Sequence, residues 1–238
     1  MTENDINHLH NEMKPTACIL VDGVKQRFYF NDTVFLVGDT EFEIEFNNKS
    51  QRTVVAHLTI NGESLIGSPV IYNGHKVILK DYIFDKRKFL FVVYEIDSND
   101  EDVKKAIKEN GILSIEYYYE RQIEKENIKP THSESYNEGG STLLFSLNTE
   151  GKNDSMISNN LPLTSENDLE EETGKIIKGS PSNETYASAD IELDSINFDT
   201  QVIKLLPLSK KPNFIVCPQC QYQSNIEAFY CKECGHKY

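Results

Sequence analysis

The chain has 238 residues, 38% of them hydrophobic, and its 38 acidic against 24 basic side chains leave a net charge of −14. That length holds one medium domain or two small ones, and the low apolar share leaves part of the chain outside any packed core. A carboxylate surplus of this size argues against a general nucleic-acid or anionic-membrane surface, because both need clustered Lys and Arg.

Met1–Lys14 is polar and acidic, without the apolar core of an export signal, and residues 1–16 are expected to form a flexible N-terminus. No run approaches the roughly 18 apolar residues of a membrane span. His8, His10 and Glu12 form a small donor cluster, but in so polar a terminus a solvated role outweighs metal binding.

From Ala17 to Glu120 the punctuation is that of short strands. Ala17–Val21 ends at Asp22-Gly23, a turn pair that tolerates positive φ. A β-prone run through Val24, Arg27 and Tyr29 follows, then Thr33–Val37, which stops at Gly38-Asp39. Residues 41–46 (Glu-Phe-Glu-Ile-Glu-Phe) alternate strictly, which gives a strand one apolar face and one carboxylate row. That row (Glu41, Glu43, Glu45) reads as a solvated face ahead of an acid/base or calcium site.

Further strands are expected at Arg52–Ile60, Pro69–Tyr72 and His75–Leu79, with Asn61-Gly62 and Asn73-Gly74 as hairpin turns. Phe89–Tyr94 is apolar nearly throughout and suits a central strand covered on both faces. Asn99 can cap a short helix over Asp100–Asn110, with acids at its start, lysines nearer its end and Gly111 as the stop. Ile112–Tyr119 returns as a strand, on which Tyr117, Tyr118 and Tyr119 alternate, so at least one ring points outward. The fold class is therefore mainly β: an antiparallel sandwich or barrel-like domain over residues 17–120, with one short helix. Cys18, inside an apolar run, reads as a buried small hydrophobe.

Residues 121–210 change character. Ser, Thr, Asn, Glu and Asp dominate, and residues 166–172 hold five acids. Such a segment reads as an acidic, largely disordered linker, with 150–190 unstructured. Two apolar patches, 141–147 and 201–208, are each long enough to add a strand to the β domain or to serve as docking motifs. By count, residues 1–120 carry about −7, residues 121–210 about −8 and residues 211–238 about +1.

The last segment names its own chemistry. Cys217-Pro218-Gln219-Cys220 and Cys231-Lys232-Glu233-Cys234 are two Cys-x-x-Cys pairs ten residues apart. Two residues between paired cysteines let a tight turn aim both sulfurs at one ion, and the gap leaves room for a hairpin. One structural Zn²⁺ held by Cys217, Cys220, Cys231 and Cys234 is the expectation, with disulfides as the alternative. Four thiolates and one Zn²⁺ sum to about −2, so a loaded site is negative. His236 offers a substitute ligand only in a damaged site. Reduced thiols at zinc-type spacing, without an export signal, point to a cytoplasmic-type compartment, or to a virion if the chain is viral.

The stretch Phe214–Tyr238, with CPQC, the aromatic pair Phe229-Tyr230 before the third cysteine, and CKECG, resembles the short zinc-ribbon family at the ends of many bacterial, archaeal and viral proteins. It departs at Gln221, where many members carry glycine. The resemblance implies four metal ligands and no open coordination position, hence scaffolding and contact, not metal-assisted catalysis. Residues 17–120 are similar, through "ILVDGVKQRFYF", "TVFLVGDTEFEIEFNNKSQRTVVAHLTINGESLI" and "NGILSIEYYYE", to an unnamed β domain of bacterial, phage and large-virus proteins. That resemblance implies the domain boundary and a non-enzymatic protein.

No phosphate-cradling glycine loop, nucleophile elbow or dinucleotide fingerprint occurs. The functional expectation is a non-catalytic, zinc-binding adaptor or structural-interaction protein with a protein partner, of the kind found in virus or phage assembly. Tyr222, Ile226, Glu227 and Phe229 of the ribbon would face that partner. The alternative is a transcription-related nucleic-acid reader, supported by Lys204, Lys210, Lys211, Lys232 and Lys237 and opposed by the chain's charge.

Overall fold

The computed structural model describes residues 14–29, 32–96, 104, 107–121, 144–146 and 171–238. In chain order the strands are β1 (Thr16–Val21), β2 (Val24–Lys25), β3 (Thr33–Leu36), β4 (Thr40–Asn47), β5 (Val54–Ile60) and β6 (Glu63–Ser64). Next come β7 (Ser68–Ile71), β8 (Lys76–Leu79), β9 (Asp81–Tyr82), β10 (Arg87–Ile96), β11 (Ile112–Glu120) and β12 (Leu144–Ser146). The last are β13 (Glu171–Pro181), β14 (Ala187–Ser188), β15 (Leu193–Pro207), β16 (Phe214–Val216) and β17 (Gln223–Asn225).

Two sheets face each other. One runs β13-β10-β4-β1-β2, with β8 also on β4 and β9 also on β10; the other runs β14-β12-β7-β5-β11-β15-β3, with β6 on β5. Pairing is antiparallel except at β15–β3 and β12–β14, which are parallel. The core follows from two-residue alternation. Phe42, Ile44 and Phe46 of β4, Leu113, Ile115 and Tyr117 of β11, and Phe89 and Phe91 of β10 all point between the sheets and are buried. Phe42 stacks on Phe89, and Phe46 meets Tyr117 edge-on.

The mainly β expectation holds, and several details change. β13 and most of β15 lie inside the stretch expected to be a disordered linker. β13 pairs with β10 along nearly its whole length, from Arg87↔Pro181 to Ile96↔Glu171. β15 pairs with β11 from Ile112↔Lys204 to Glu120↔Leu193. Both tolerate a polar sequence because each spends few side chains on the core. Among the described side chains of β13 beyond its glycines, Ile176 is the buried one, and Gly174 makes space for the Phe91 ring, since a Cβ there would lie 2.2 Å from it. On β15 the inward Gln201 is satisfied: its amide exchanges hydrogen bonds with the N–H and C=O of Ala17 (2.7 and 3.1 Å), and Tyr117 donates to it at 3.2 Å. The patch at 201–208 is thus the end of a long strand, and 144–146 pairs with β7. The remainder of residues 122–170 lies outside the described residues, as do His8, His10 and Glu12.

Of the helix expected over Asp100–Asn110, Lys104 is helical and 107–111 are turns; the rest lies outside the described residues. Asn61-Gly62 makes a hairpin between β5 and β6, but Asn73-Gly74 does not, because β7 and β8 belong to different sheets. That corner is held by Asn48, which donates through its side chain to Ile71 O (2.9 Å) and accepts at its own C=O from Gly74 N–H (2.9 Å). β10 is central by pairing yet buried on one face only: Phe89 and Phe91 are enclosed, while Leu90 and Val92 are half-buried.

The carboxylate row on β4 is not simply solvated. Glu41 accepts from Lys88 (2.9 Å) and from Ser180 N–H (2.9 Å), which hold its carboxyl down at about 2. Glu45 is largely buried between Lys25 (2.7 Å) and Lys76 (3.4 Å). Among the described residues no helix is long and apolar enough to cross a membrane.

Candidate metal centre

The C-terminal hairpin pairs Phe214↔Asn225, Ile215↔Ser224 and Val216↔Gln223. Alternation buries Ile215 and Ser224 and leaves Phe214 and Val216 exposed. Each cysteine pair sits in a tight turn closed by its own backbone. Gln221 N–H donates to Cys217 O (2.9 Å) and Cys217 N–H to Tyr222 O (2.9 Å). At the second pair Gly235 N–H donates to Cys231 O (2.9 Å) and Cys231 N–H to His236 O (2.6 Å). The residue after each pair has positive φ, +61° at Gln221 and +73° at Gly235. Glycine adopts that conformation freely, whereas glutamine there costs about 1 kcal/mol.

These turns bring all four sulfurs together. The Sγ atoms of Cys217, Cys220, Cys231 and Cys234 lie within 4.8 Å of one another. The cross-pair separations are 3.6 Å for Cys217–Cys234 and 3.5 Å for Cys220–Cys231. A tetrahedron with metal–sulfur bonds of about 2.3 Å has sulfur–sulfur edges of about 3.8 Å. A disulfide needs about 2.05 Å, and all four thiols are free. The donor set therefore fits one tetrahedral metal ion. Cys217 and Cys231 are buried, and their partners Cys220 and Cys234 are exposed.

The turns also prepare a thiolate. Desolvation opposes ionising Cys231, but backbone hydrogen bonds from Cys234 and Glu233 and the Tyr238 hydroxyl outweigh it and bring the thiol down to about 6. At Cys220 a backbone hydrogen bond from Tyr222 is overcome by desolvation and by the neighbouring thiols, which push it up to about 12. Four crowded sulfurs resist carrying four charges together unless a cation sits among them. The cluster contains no histidine; the His236 ring stands edge-on to Tyr238 instead.

The hairpin is seated on the sandwich. Arg27 donates to Glu227 O (2.8 Å), to Ala228 O (3.0 Å) and to the Glu227 carboxylate (3.1 Å). Its guanidinium lies 4.2 Å from the centre of the Phe229 ring. Tyr29 donates to Glu227 at 3.1 Å, and Lys211 pairs with the same carboxylate while standing over the Tyr29 ring. Of the four residues expected to be exposed toward a partner, Ile226 is buried, whereas Glu227 and Phe229 stay mostly exposed while also contacting Arg27. Tyr222 remains exposed. Lys211, counted toward a nucleic-acid surface, is committed to Glu227.

Arg27, Tyr29 and Lys211 carried no local signal in the sequence, because Arg27 and Glu227 are 200 residues apart. Tyr118, the outward ring of its triplet, lies between His57 (4.8 Å) and Phe198 (5.4 Å), while Tyr117 is in the core. Compared with family models, curated proteins and solved structures, the chain finds no match.

Proposed function

We propose that the four cysteines hold one structural Zn²⁺ in a closed zinc ribbon, and that the chain is a non-catalytic adaptor working through protein contacts. The observation that carries this reading is the convergence of Cys217, Cys220, Cys231 and Cys234 to tetrahedral spacing. When bound, the ion supplies the folding free energy of a segment too small for a core of its own. With all four positions taken by sulfur, no site is left for water or substrate, which favours scaffolding over catalysis. The residues do the positioning: the two backbone-closed turns aim the sulfurs, and Ile215 and Ile226 give the hairpin its small apolar base. A virus or phage particle is one setting such an adaptor fits.

Elemental analysis of the purified chain should find about one zinc per molecule. Replacing Cys217 and Cys231 together should remove it. A chain that retains its fold at residues 214–238 with no metal bound would falsify the reading.

A further inference from the structure

We propose that Arg27, Tyr29 and Lys211 form a carboxylate-reading site for an acidic peptide of a partner protein, and that Glu227 of the hairpin fills it as an internal ligand. The proposal rests on the metal reading in one respect: the ion is what orders the segment between Cys220 and Cys231 that carries Glu227.

The site is built to read more than charge. Arg27 Nη1, Tyr29 OH and Lys211 Nζ converge on one carboxylate. Arg27 also donates to two successive backbone carbonyls, those of Glu227 and Ala228, in a turn closed by Ala228 N–H on Asn225 O (2.9 Å), so it recognises peptide backbone held in a turn. Its planar face takes the Phe229 ring at 4.2 Å and the Tyr29 ring at 5.2 Å. The pattern read is an acid followed two residues later by an aromatic.

Beside this clamp lies a cleft of about 300 Å³ lined by Val21, Phe35, Leu36, Val37 and Leu208, and it shares Arg27, Tyr29 and Lys211 with the clamp. No hairpin residue lines it. The internal ligand therefore satisfies the cations and leaves an apolar subsite open. An acidic segment with a flanking apolar side chain would fill both, and in a chain of net charge −14 these two cations are a local attraction for it.

The internal contact is also weak enough to lose. The Arg27 and Glu227 side chains are 28% and 54% exposed, so solvent screens the pair. Occupancy depends on the high local concentration that an ordered, attached hairpin gives Glu227. Loss of the metal, or a strong competitor, opens the site.

The test titrates a fluorescein-labelled peptide, Asn-Ile-Glu-Ala-Phe-Tyr, against the full chain by anisotropy. It compares metal-loaded protein, chelator-stripped protein and metal-loaded E227K, whose reversed charge is repelled by Arg27 and Lys211. The stripped protein and E227K should each bind the peptide at least about tenfold more tightly than the loaded wild type. Changing the peptide's Glu to Gln, or Arg27 to Ala in the protein, should weaken binding about tenfold. Equal affinity in the loaded and stripped states, or binding indifferent to Arg27→Ala, would overturn the proposal. Metal content measured on the same samples separates the two ideas. A chain that never holds metal defeats the zinc reading, while E227K still decides whether the clamp is a peptide site.

Discussion

The sandwich buries Phe42, Phe46, Phe89, Phe91 and Tyr117 between two sheets, whereas the C-terminal hairpin buries Ile215, Ile226 and two of its four cysteines. The first region is held by apolar area, at about 25 cal/mol per Å² removed from water. The second has little of that area and, on the metal reading proposed above, is held by an ion among its sulfurs. Each should therefore respond to a treatment that leaves the other nearly untouched, although Arg27 and Lys211 join them. The join is made of a few partly exposed ion pairs, hydrogen bonds and ring contacts that solvent screens, too little for one region to hold the other folded.

The largest effect separates the two at once. Cys231→Ser should abolish metal binding and unfold residues 214–238, a loss on the order of 10 kcal/mol for that segment. Amide exchange should show protection vanishing there and persisting in β4, β10 and β11. Loss of protection throughout would mean that the join is far stronger than its geometry suggests. The converse is Phe89→Ala, which leaves a cavity beside Phe42 and Tyr82 and should cost the sandwich about 3–5 kcal/mol in a denaturant titration. Metal stoichiometry should stay at one in the folded fraction.

Asn61→Ala comes next. The Asn61 amide accepts from Gly111 N–H (2.9 Å) and donates to Ile176 O (2.6 Å), so its loss strands backbone groups of both sheets and should cost about 1–3 kcal/mol. Within the hairpin, Gln221→Gly should remove the strain of φ +61° and slow metal loss to a chelator, a gain of about 1 kcal/mol, with the sandwich midpoint unchanged.

The smallest effect is one of pH. Glu41, held at about 2 by Ser180 and Lys88, has a folded pKa below its unfolded value near 4.5. Its contribution is complete above that value and disappears as pH falls from about 4.5 toward 2. Glu41→Gln should flatten the acid limb of the sandwich's stability curve and leave neutral-pH stability of the hairpin as it was.

What the sequence disclosed divides along the same line. The strand at 41–46 and the cysteine pairs were legible because their patterns are local: one a two-residue period, the other a ligand spacing. β13 was not, since Gly174 and a single inward isoleucine make sense only against the Phe91 ring of another strand. Asn73-Gly74 carried the chemistry of a turn but not its destination, which Asn48 sets from 25 residues upstream. The Arg27–Glu227 clamp was invisible for the same reason: each half is an ordinary charged residue until the fold brings them together.

β13 ends its sheet, with β10 on one side and no strand on the other among the described residues. An eleven-residue edge strand is a template on which a second copy of the chain can lengthen the sheet, the first step of a fibril, although this one has β15 and Gly111 close beside it. The Asn61 amide occupies both backbone groups of Ile176, donating to its C=O at 2.6 Å and accepting from its N–H at 3.3 Å, midway along that edge. The same side chain that ties the sheets together therefore also interrupts the template, and a variant lacking it should be read for turbidity as well as for stability.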